Sequence, residues 1–299
     1  MGGVGRCGNI PGLMSGIDLH VHSMFSDGTF TPRRIVALAR ERDLSTIALT
    51  DHDTIAGLDE AASAGEELGV EIVPGIEFSS VYEGNGVHVL CYYMDVENAD
   101  LLEELHRLRD DRRLRGEGMV LKLQELGYPI TFDRVNEIAE GGNIVRPHVA
   151  QALVEAGVVP TVKDAFTEEF IGNGGRAYVE KHALAPLDAL RLIHAAGGVC
   201  VLAHPGTFRE TSPVPDTLIT ELADAGLDGI EASHPEHTPE VEAVYIATAE
   251  RLGMLWTGSS DCHGDRYDPV RLGIRTTRPE QFERLKARAA ELRDRAGAA

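Results

Sequence analysis

Cysteine pairs, membrane-length apolar runs and basic residues are all scarce in this sequence. The 4 cysteines lie far apart, at Cys7, Cys91, Cys200 and Cys262. Because no Cys-x-x-Cys pair occurs, a disulfide framework and a thiolate zinc site are both disfavoured. No apolar run approaches the ~20 residues of a membrane span, and the glycine-rich residues 1–16 lack the apolar core of a signal peptide. We therefore expect a cytoplasmic protein with no membrane partner.

Basic residues are much less frequent than acidic ones. The chain of 299 residues has 28 Lys and Arg against 48 Asp and Glu, which gives a formal net charge of −20. This charge repels the phosphates of a long nucleic acid, although a local pocket built around metal ions can still hold one phosphate. Hydrophobic residues make up 43% of the chain, which suffices for a sizeable core and excludes a disordered or fibrous protein.

Short apolar strands alternate with amphipathic helices in the first and last thirds of the chain. Thr31 and Pro32 predict the start of a helix, and Gly69 predicts the end of another. Repeated strand–helix units of this length indicate a mainly parallel α/β sheet or barrel. The predicted strands cover residues 17–22, 46–50, 71–76, 87–93, 198–203, 229–232 and 254–258.

The strand–helix rhythm is interrupted in the middle of the sequence. Residues 100–126 have the apolar spacing of one long helix, and two shorter helical patterns follow it. We therefore predict a discontinuous barrel over residues 16–95 and 179–280, a helical insertion over 96–178, and a C-terminal helix or tail over 281–299.

Imidazoles and carboxylates occur at or near the ends of most predicted strands. His20 and His22 are two residues apart in a strand, so both point to the same side. Three ionisable groups in a row, residues 51–53, follow a buried strand and must be solvated, paired or bound to metal. We place Glu77 at the end of the third strand, with His88 in the fourth. Nine candidates exceed the needs of one ion, which predicts two or three divalent ions. The candidate ligands are His20, His22, Asp27, His52, Glu77, His88, His204, Asp261 and His263.

These residues lie in an ordered set of motifs that spans about residues 16–273. The motifs are DLHVHSMFSDGT, ALTDHD, PGIE, HVLCY, AHP and SDCHG. Their order and content resemble those of the polymerase and histidinol phosphatase (PHP) family. The resemblance implies a distorted (β/α)7 barrel and metal-dependent phosphoester hydrolysis, in which water activated by the ions attacks phosphorus.

The same resemblance divides the candidate ligands among three metal sites, with Glu77 shared by two of them. Imidazole and carboxylate ligands suit manganese, iron and zinc, and of these we expect manganese. The three sets are His20, His22, Glu77 and Asp261; Glu77, His88 and His204; and Asp27, His52 and His263.

Two segments around the insertion resemble one branch of that family. The segments RPHVA, from Arg146, and AYVEK, ending at Lys181, are similar to those of enzymes acting on small nucleotides. That branch includes nucleoside 3′,5′-bisphosphate phosphatases, AMP phosphatases and relatives that trim RNA from the 5′ end. The resemblance implies that Arg146, Lys181 and His234 bind the substrate phosphate and that His148 could join them. Arg146 would neutralise developing charge, and His234 could act as a general acid.

Several alternatives stay open at this point. The substrate could be histidinol phosphate or short RNA, or the chain could be a regulatory metal-binding module. An amidohydrolase on a similar barrel is disfavoured, because no lysine lies at a suitable strand end in the first half. Without the resemblance, Arg146 could simply form an ion pair, and Lys181 could be an exposed strand-end lysine. Acidic neighbours surround the arginines of residues 107–115, which favours a solvated helix face over an RNA contact.

Overall fold

The computed structural model describes residues 16–139, 142, 144–180, 184–207 and 213–297. Within these ranges the chain forms an α/β fold whose predicted strands are all present. The strands are β1 (Gly16–Val21), β2 (Leu44–Leu49), β3 (Glu71–Tyr82), β4 (Asn85–Tyr92), β5 (Val199–Leu202), β6 (Gly229–Ser233) and β7 (Leu255–Gly258). The helices are α1 (Pro32–Glu41), α2 (Leu58–Leu68), α3 (Ala99–Glu125), α4 (Phe132–Ile138), α5 (Arg146–Glu155), α6 (Pro186–Ala195), α7 (Asp216–Asp224), α8 (Pro239–Arg251) and α9 (Pro279–Gly297).

Local sequence signals determine where the first helices begin and end. The Thr31 side chain accepts a hydrogen bond from the backbone N of Arg34 at 3.2 Å, and Pro32 occupies the first turn of α1. Gly69 adopts a left-handed backbone, with φ of 69°, and ends α2. The predicted start of α1 and end of α2 are therefore confirmed. No helix in the described ranges is both long and apolar enough to cross a membrane.

The seven strands form one sheet in chain order, from β1 to β7. Neighbouring strands run parallel except at β4, which is antiparallel to both β3 and β5. Glu83 and Gly84 connect β3 to β4 with positive φ angles of 50° and 80°, as a tight hairpin turn requires. Because β3 continues to Tyr82 by pairing with β4, Glu77 lies inside a strand. The prediction that Glu77 ends its strand is wrong.

The two edges of the sheet meet at one end. Val21 of β1 forms an isolated parallel bridge with Cys262, and the backbone N of His22 donates to the Cys262 carbonyl at 2.9 Å. The backbone N of Thr277 also donates to the Ile17 carbonyl, at 2.8 Å. The α/β fold class is confirmed, and in the described ranges this bridge brings the first strand beside the segment after the last one.

The long helix α3 contributes to two separate apolar cores. Leu101, Leu105 and Leu108 belong to a core with side chains of β4, α6 and α7. The buried side chains of a second core come, among the described residues, from positions 119–177, and this core begins at Met119, farther along α3. The first half of α3 therefore packs against the sheet, whereas its second half supports the helical segment that follows.

Candidate metal centre

Glu77 lies at the centre of a buried histidine cluster. Its side chain is 1% exposed and belongs to β3. Each of its two oxygens is surrounded by imidazole nitrogens at 2.8 to 3.2 Å, which brings five predicted ligands around one carboxylate. These residues are His20, His22, His52, His88 and His204.

Asp261 completes the first predicted ligand set. Its Oδ1 lies 3.5 Å from His20 Nε2 and 3.2 Å from His22 Nε2. The two Nε2 atoms are 3.0 Å apart, and each is 3.1 Å from Glu77 Oε2. Four ligands at 2.0–2.1 Å from one ion would be separated by roughly 3.3 to 3.4 Å in a tetrahedral arrangement. The donor separations therefore fit a shared divalent cation.

The third predicted set surrounds Asp27. Its Oδ1 lies 3.2 Å from His263 Nε2 and 3.7 Å from His22 Nδ1. One donor atom from each of His22, Asp27, His52 and His263 lies within 4.8 Å of the others. His22 Nδ1 is buried and makes no hydrogen bond to the described residues. A buried ring nitrogen facing a carboxylate without a hydrogen bond is the kind of atom that a cation would satisfy.

The carboxylates of Glu77 and Asp27 are held in their ionised form. Burial would raise the pKa of Glu77, but the facing imidazoles of His52 and His20 hold it well below its ordinary range. Burial opposes ionisation of Asp27 in the same way, and His263 lowers the pKa of its carboxyl. Buried carboxylates surrounded by imidazoles, which bind metals in their neutral form, make a donor set that suits divalent cations.

The residues on either side of His52 support the cluster through hydrogen bonds. Asp51 accepts from the backbone N and the hydroxyl of Ser23, at 2.7 and 2.6 Å, and from the Ser26 hydroxyl at 2.6 Å. These contacts fix the turn that positions Asp27. Asp53 accepts from the backbone N of Ser79 at 2.8 Å. Within residues 51–53, His52 faces the ligand cluster, whereas Asp51 and Asp53 accept hydrogen bonds from residues next to the cluster.

Glu231 on β6 is a buried acid that the sequence analysis did not identify. Its Oε1 accepts from His20 Nδ1 at 3.0 Å, and its Oε2 accepts from the backbone N of His204 at 2.8 Å. Burial alone would raise its pKa, but His20 lowers it to about 2. An acidic residue within an otherwise apolar strand was the available signal. Glu231 orients a predicted ligand as carboxylates behind metal-binding histidines do.

We expect Glu231→Gln to reduce metal affinity or activity by about 10- to 100-fold. Glutamine has one acceptor oxygen, so it can serve His20 Nδ1–H or the His204 backbone N–H, but not both. Metal titration and initial rates measure the effect. Glu221→Gln on the exposed face of α7 is the matched control. Equal metal affinity and equal rates in both variants would contradict this role for Glu231.

His234 lies behind Asp261 and is fully buried. The backbone N of Glu236 donates to its Nδ1 at 3.1 Å, so its Nε2 carries the proton and donates to Asp261 Oδ2 at 3.3 Å. Burial lowers the pKa of the ring and so disfavours its charged form. His237 also has a partner at each ring nitrogen: Nδ1 donates to the Ala232 carbonyl at 2.7 Å, and Nε2 accepts from the backbone N of Gly206 at 3.1 Å. Both ring nitrogens of His234 thus have partners within the protein.

A cavity of about 330 Å³ opens beside the cluster and contains part of the predicted substrate-binding set. Arg146 at the start of α5 lines it, donates to Asn173 Oδ1 at 2.7 Å and lies over the Phe166 ring. His148 is buried in the same first turn of α5, and its Nδ1 accepts from the backbone N of Val145 at 3.3 Å. Burial lowers the pKa of His148 to about 4. Lys181 lies outside the described residues.

Two arginines of the long helix also line this cavity. Arg112 forms an ion pair with Asp53, and Arg115 donates to the Val179 carbonyl at 2.9 Å. Arg107 and Arg113 instead pair with acidic neighbours on the exposed face, as predicted. The prediction of a solvated arginine face is wrong for Arg112 and Arg115, because Arg112 faces Asp53 and Ser79 and Arg115 faces the Val179 carbonyl.

The fold and the cluster define a metal-dependent hydrolase, and the comparisons with known proteins identify its family. The PHP domain model matches residues 18–128. The chain is 32% identical to a 5′-3′ exoribonuclease of Haemophilus influenzae over 82% of this chain and 89% of the relative. It is also 32% identical to a 3′,5′-nucleoside bisphosphate phosphatase of Chromobacterium violaceum, over 84% of this chain and 88% of that protein.

A solved structure gives the same result. A Bifidobacterium adolescentis protein assigned as a metal-dependent phosphoesterase superposes with a TM-score of 0.83 and 35% identity, covering 92% of this chain and 96% of that one. The chain belongs to the PHP family of metal-dependent phosphoesterases, and the resemblance seen in its motifs is confirmed. The protein is therefore a hydrolase of phosphate esters that uses divalent metal ions.

Proposed function

We propose that this protein releases phosphate from a small nucleotide, either AMP or a nucleoside 3′,5′-bisphosphate. Two or three divalent ions, manganese foremost, would be held by the nine predicted ligands in the three sets given above. The observation that carries this proposal is the position of the Glu77 cluster at one wall of an arginine-lined cavity. Imidazoles and carboxylates supply the metal ligands, and guanidinium groups supply the partners for phosphate oxygens.

The cavity volume supports a substrate about as large as one nucleotide. Small-molecule sites span about 300 to 1,000 Å³, and this cavity of about 330 Å³ lies at the lower end of that range. Asp27, His52 and His88 line it from the side of the cluster, and Phe166 and Tyr178 offer aromatic rings. A phosphate against the cluster would leave space for a single nucleoside.

Divalent ions in such ligand sets lower the pKa of bound water from ~16 to about 7 and neutralise phosphoryl oxygens. The protein's own groups orient the substrate. Arg146 presents a planar guanidinium that is held by Asn173 and lies over the Phe166 ring, and a guanidinium of this geometry suits two oxygens of one phosphate. We place His148 beside it as a second donor, and Lys181 retains its predicted role.

For His234 we propose a positioning role. Its Nε2–H fixes one oxygen of Asp261, which leaves the other oxygen directed at His20 and His22. A general acid must reach the leaving group, and this ring is fully buried behind the carboxylate. A role in orienting Asp261 explains the hydrogen bonds of His234 and requires no movement of its ring.

A second candidate is stepwise 5′-3′ hydrolysis of short RNA. The similarity to the Haemophilus influenzae exoribonuclease over 89% of that protein favours it. One terminal nucleotide would occupy the cavity, while the rest of the strand would pass along the surface. The formal charge of −20 disfavours a long strand, so we expect activity only on short oligonucleotides.

A panel of substrates distinguishes these activities. Protein loaded separately with manganese, iron and zinc is incubated with AMP, a nucleoside 3′,5′-bisphosphate, histidinol phosphate and a 5′-phosphorylated tetraribonucleotide. Chromatography of products and phosphate release are measured. We expect inorganic phosphate from at least one mononucleotide, with the highest rate in manganese. Release of 5′-mononucleotides in steps would favour the exonuclease, and no hydrolysis of any phosphate ester would overturn the proposal.

A further inference from the structure

We propose that Tyr92 of β4 is a positioning residue for the candidate metal centre, because its hydroxyl holds a bulge in β1 that turns His20 toward Glu77. This role rests on the proposed metal-dependent function and adds to it a residue outside the predicted ligand sets. Tyr92 acts on the backbone that carries His20, whereas Glu231 contacts the ring of the same histidine.

The pairing of β1 with β2 contains one extra residue on β1. Asp18 pairs with Ile47, and the next pair joins Val21 to Leu49, which leaves residues 19 and 20 opposite residue 48 alone. Two residues facing one residue define a β-bulge, which is rare between parallel strands. A bulge bends its strand and changes the direction of the side chains beside it.

The bulge places two adjacent side chains on the same face of the sheet. Leu19 packs in an apolar core with Ala48 and Val73. Glu77 lies on the same face of β3 as Val73, because residues four apart in a strand point the same way. His20 Nε2 is 3.1 Å from Glu77 Oε2, so His20 faces this side as well. In a regular strand, Leu19 on this face would direct His20 to the opposite one.

The hydroxyl of Tyr92 forms a hydrogen bond with the bulge from a distant strand. It donates to the Leu19 carbonyl at 2.8 Å, and the Tyr92 side chain is fully buried. The strand order places β2 and β3 between β1 and β4, so this hydrogen bond joins two non-adjacent strands. A bulge disrupts the hydrogen-bond ladder locally, and a buried carbonyl without a partner is costly. Tyr92 therefore stabilises the bulged backbone directly before His20.

The Asp18 carboxylate contacts the second residue of the bulge. Its Oδ1 accepts from the backbone N of His20 at 3.5 Å and from the backbone N of Ser260 at 2.9 Å. Its Oδ2 accepts from the backbone N of Gly273 at 2.8 Å. Ser260 directly precedes Asp261. Asp18 therefore connects the bulge to the segment that supplies another ligand of the first predicted set.

A role in packing alone explains the hydroxyl of Tyr92 less well. Phenylalanine would fill the same space among the apolar side chains of this core. The neighbouring Tyr93 also packs against the core, and within the described ranges its hydroxyl makes no hydrogen bond. The hydroxyl of Tyr92 has a specific partner, and that partner is the carbonyl of a residue in the bulge.

The test compares Tyr92→Phe with Tyr93→Phe, its matched control, which removes a hydroxyl from the next residue of the chain. A third variant, Leu292→Ala, truncates a side chain of α9 in the same core and measures what a loss of stability alone does. Metal-free protein is titrated calorimetrically with Mn²⁺ and with Co²⁺. The visible absorption spectrum of bound Co²⁺ reports the arrangement of its ligands. Circular dichroism and the thermal unfolding midpoint establish the folding of each variant.

We expect Tyr92→Phe to weaken the tightest metal binding by about 10-fold and to alter the Co²⁺ spectrum, because groups that orient metal ligands typically contribute about 10- to 100-fold to affinity. Tyr93→Phe should match the parent. Leu292→Ala should lower the unfolding midpoint and keep the parental metal affinity. Parental affinity and spectrum in a folded Tyr92→Phe protein, or an equal loss of affinity in Leu292→Ala, would overturn the inference.

Asp18→Asn tests the other contact of the bulge, and it decides the question if Tyr92→Phe does not fold. Asparagine has one acceptor oxygen, so it can serve the backbone N of Ser260 or of Gly273, but not both. We expect its metal affinity to fall by about 10-fold as well, and parental affinity would contradict the inference. Because metal binding is measured without substrate, a parent that binds metal but hydrolyses no phosphate ester would overturn the proposed function alone.

Discussion

Replacement of Glu77 by glutamine is expected to lower turnover by at least about 10³-fold and to reduce the amount of bound metal. The Glu77 oxygens lie within 3.2 Å of five imidazole nitrogens, so this one carboxylate belongs to two of the predicted ligand sets. The amide is neutral and its NH₂ cannot accept, which removes charge and one donor atom from both sets. The expected loss exceeds the effect of removing a single transition-state donor.

Elemental analysis and initial rates measure the effect of Glu77→Gln, and circular dichroism establishes that the chain is folded. Glu83→Gln is the control, because Glu83 lies on the exposed turn of the same hairpin. We expect the control to retain parental metal content and rates. Parental turnover by a folded Glu77→Gln protein would refute the assignment of this cluster as the metal centre.

Removal of the metal is expected to abolish hydrolysis and to lower the thermal unfolding midpoint by several degrees. A ligand that binds only the folded state at 100 times its dissociation constant stabilises that state by about 2.7 kcal/mol. In a protein of this size each kcal/mol shifts the midpoint by about 2 to 4 °C. Loss of ions also leaves the carboxylates and imidazoles of the cluster facing one another without a shared cation.

Dialysis against a chelator, followed by return of manganese, iron or zinc one at a time, provides the measurement. Activity and the unfolding midpoint should recover together, and the ion that restores the highest rate identifies the preferred metal. Glu77→Gln protein treated in the same way should show a much smaller shift of the midpoint. A chelated parent protein with full activity and an unchanged midpoint would contradict the proposal.

The sequence contained enough information to predict where the main elements and the ligand cluster lie. The spacing of His20 and His22 places both rings on one face of β1, because side chains of a strand alternate. Thr31 and Gly69 mark helix ends through hydrogen bonding and backbone conformation that depend on local residues alone. Both predictions succeed because strand alternation and helix ends depend only on residues that are close together in the sequence.

The remaining features depend on contacts between distant segments. The reversal at β4 extends β3 beyond Glu77, and an apolar run alone does not show whether its partner is parallel or antiparallel. Glu231 contacts His20, which lies 211 residues away in the chain, and Arg112 forms an ion pair with Asp53. The helix face that bears Arg112 and Arg115 resembles a solvated one in sequence, since acidic residues surround both arginines. Only the packing of α3 in the folded chain distinguishes Arg112 and Arg115 from the exposed arginines of the same helix.

The bridge between Val21 and Cys262 brings predicted metal ligands from distant parts of the chain together. His20 and His22 are among the earliest described residues, whereas Asp261 and His263 are supplied near the opposite terminus. A ribosome-bound fragment that ends before Asp261 lacks a member of the first ligand set and of the third. We therefore expect a chain that terminates before β7 neither to bind metal firmly nor to hydrolyse esters.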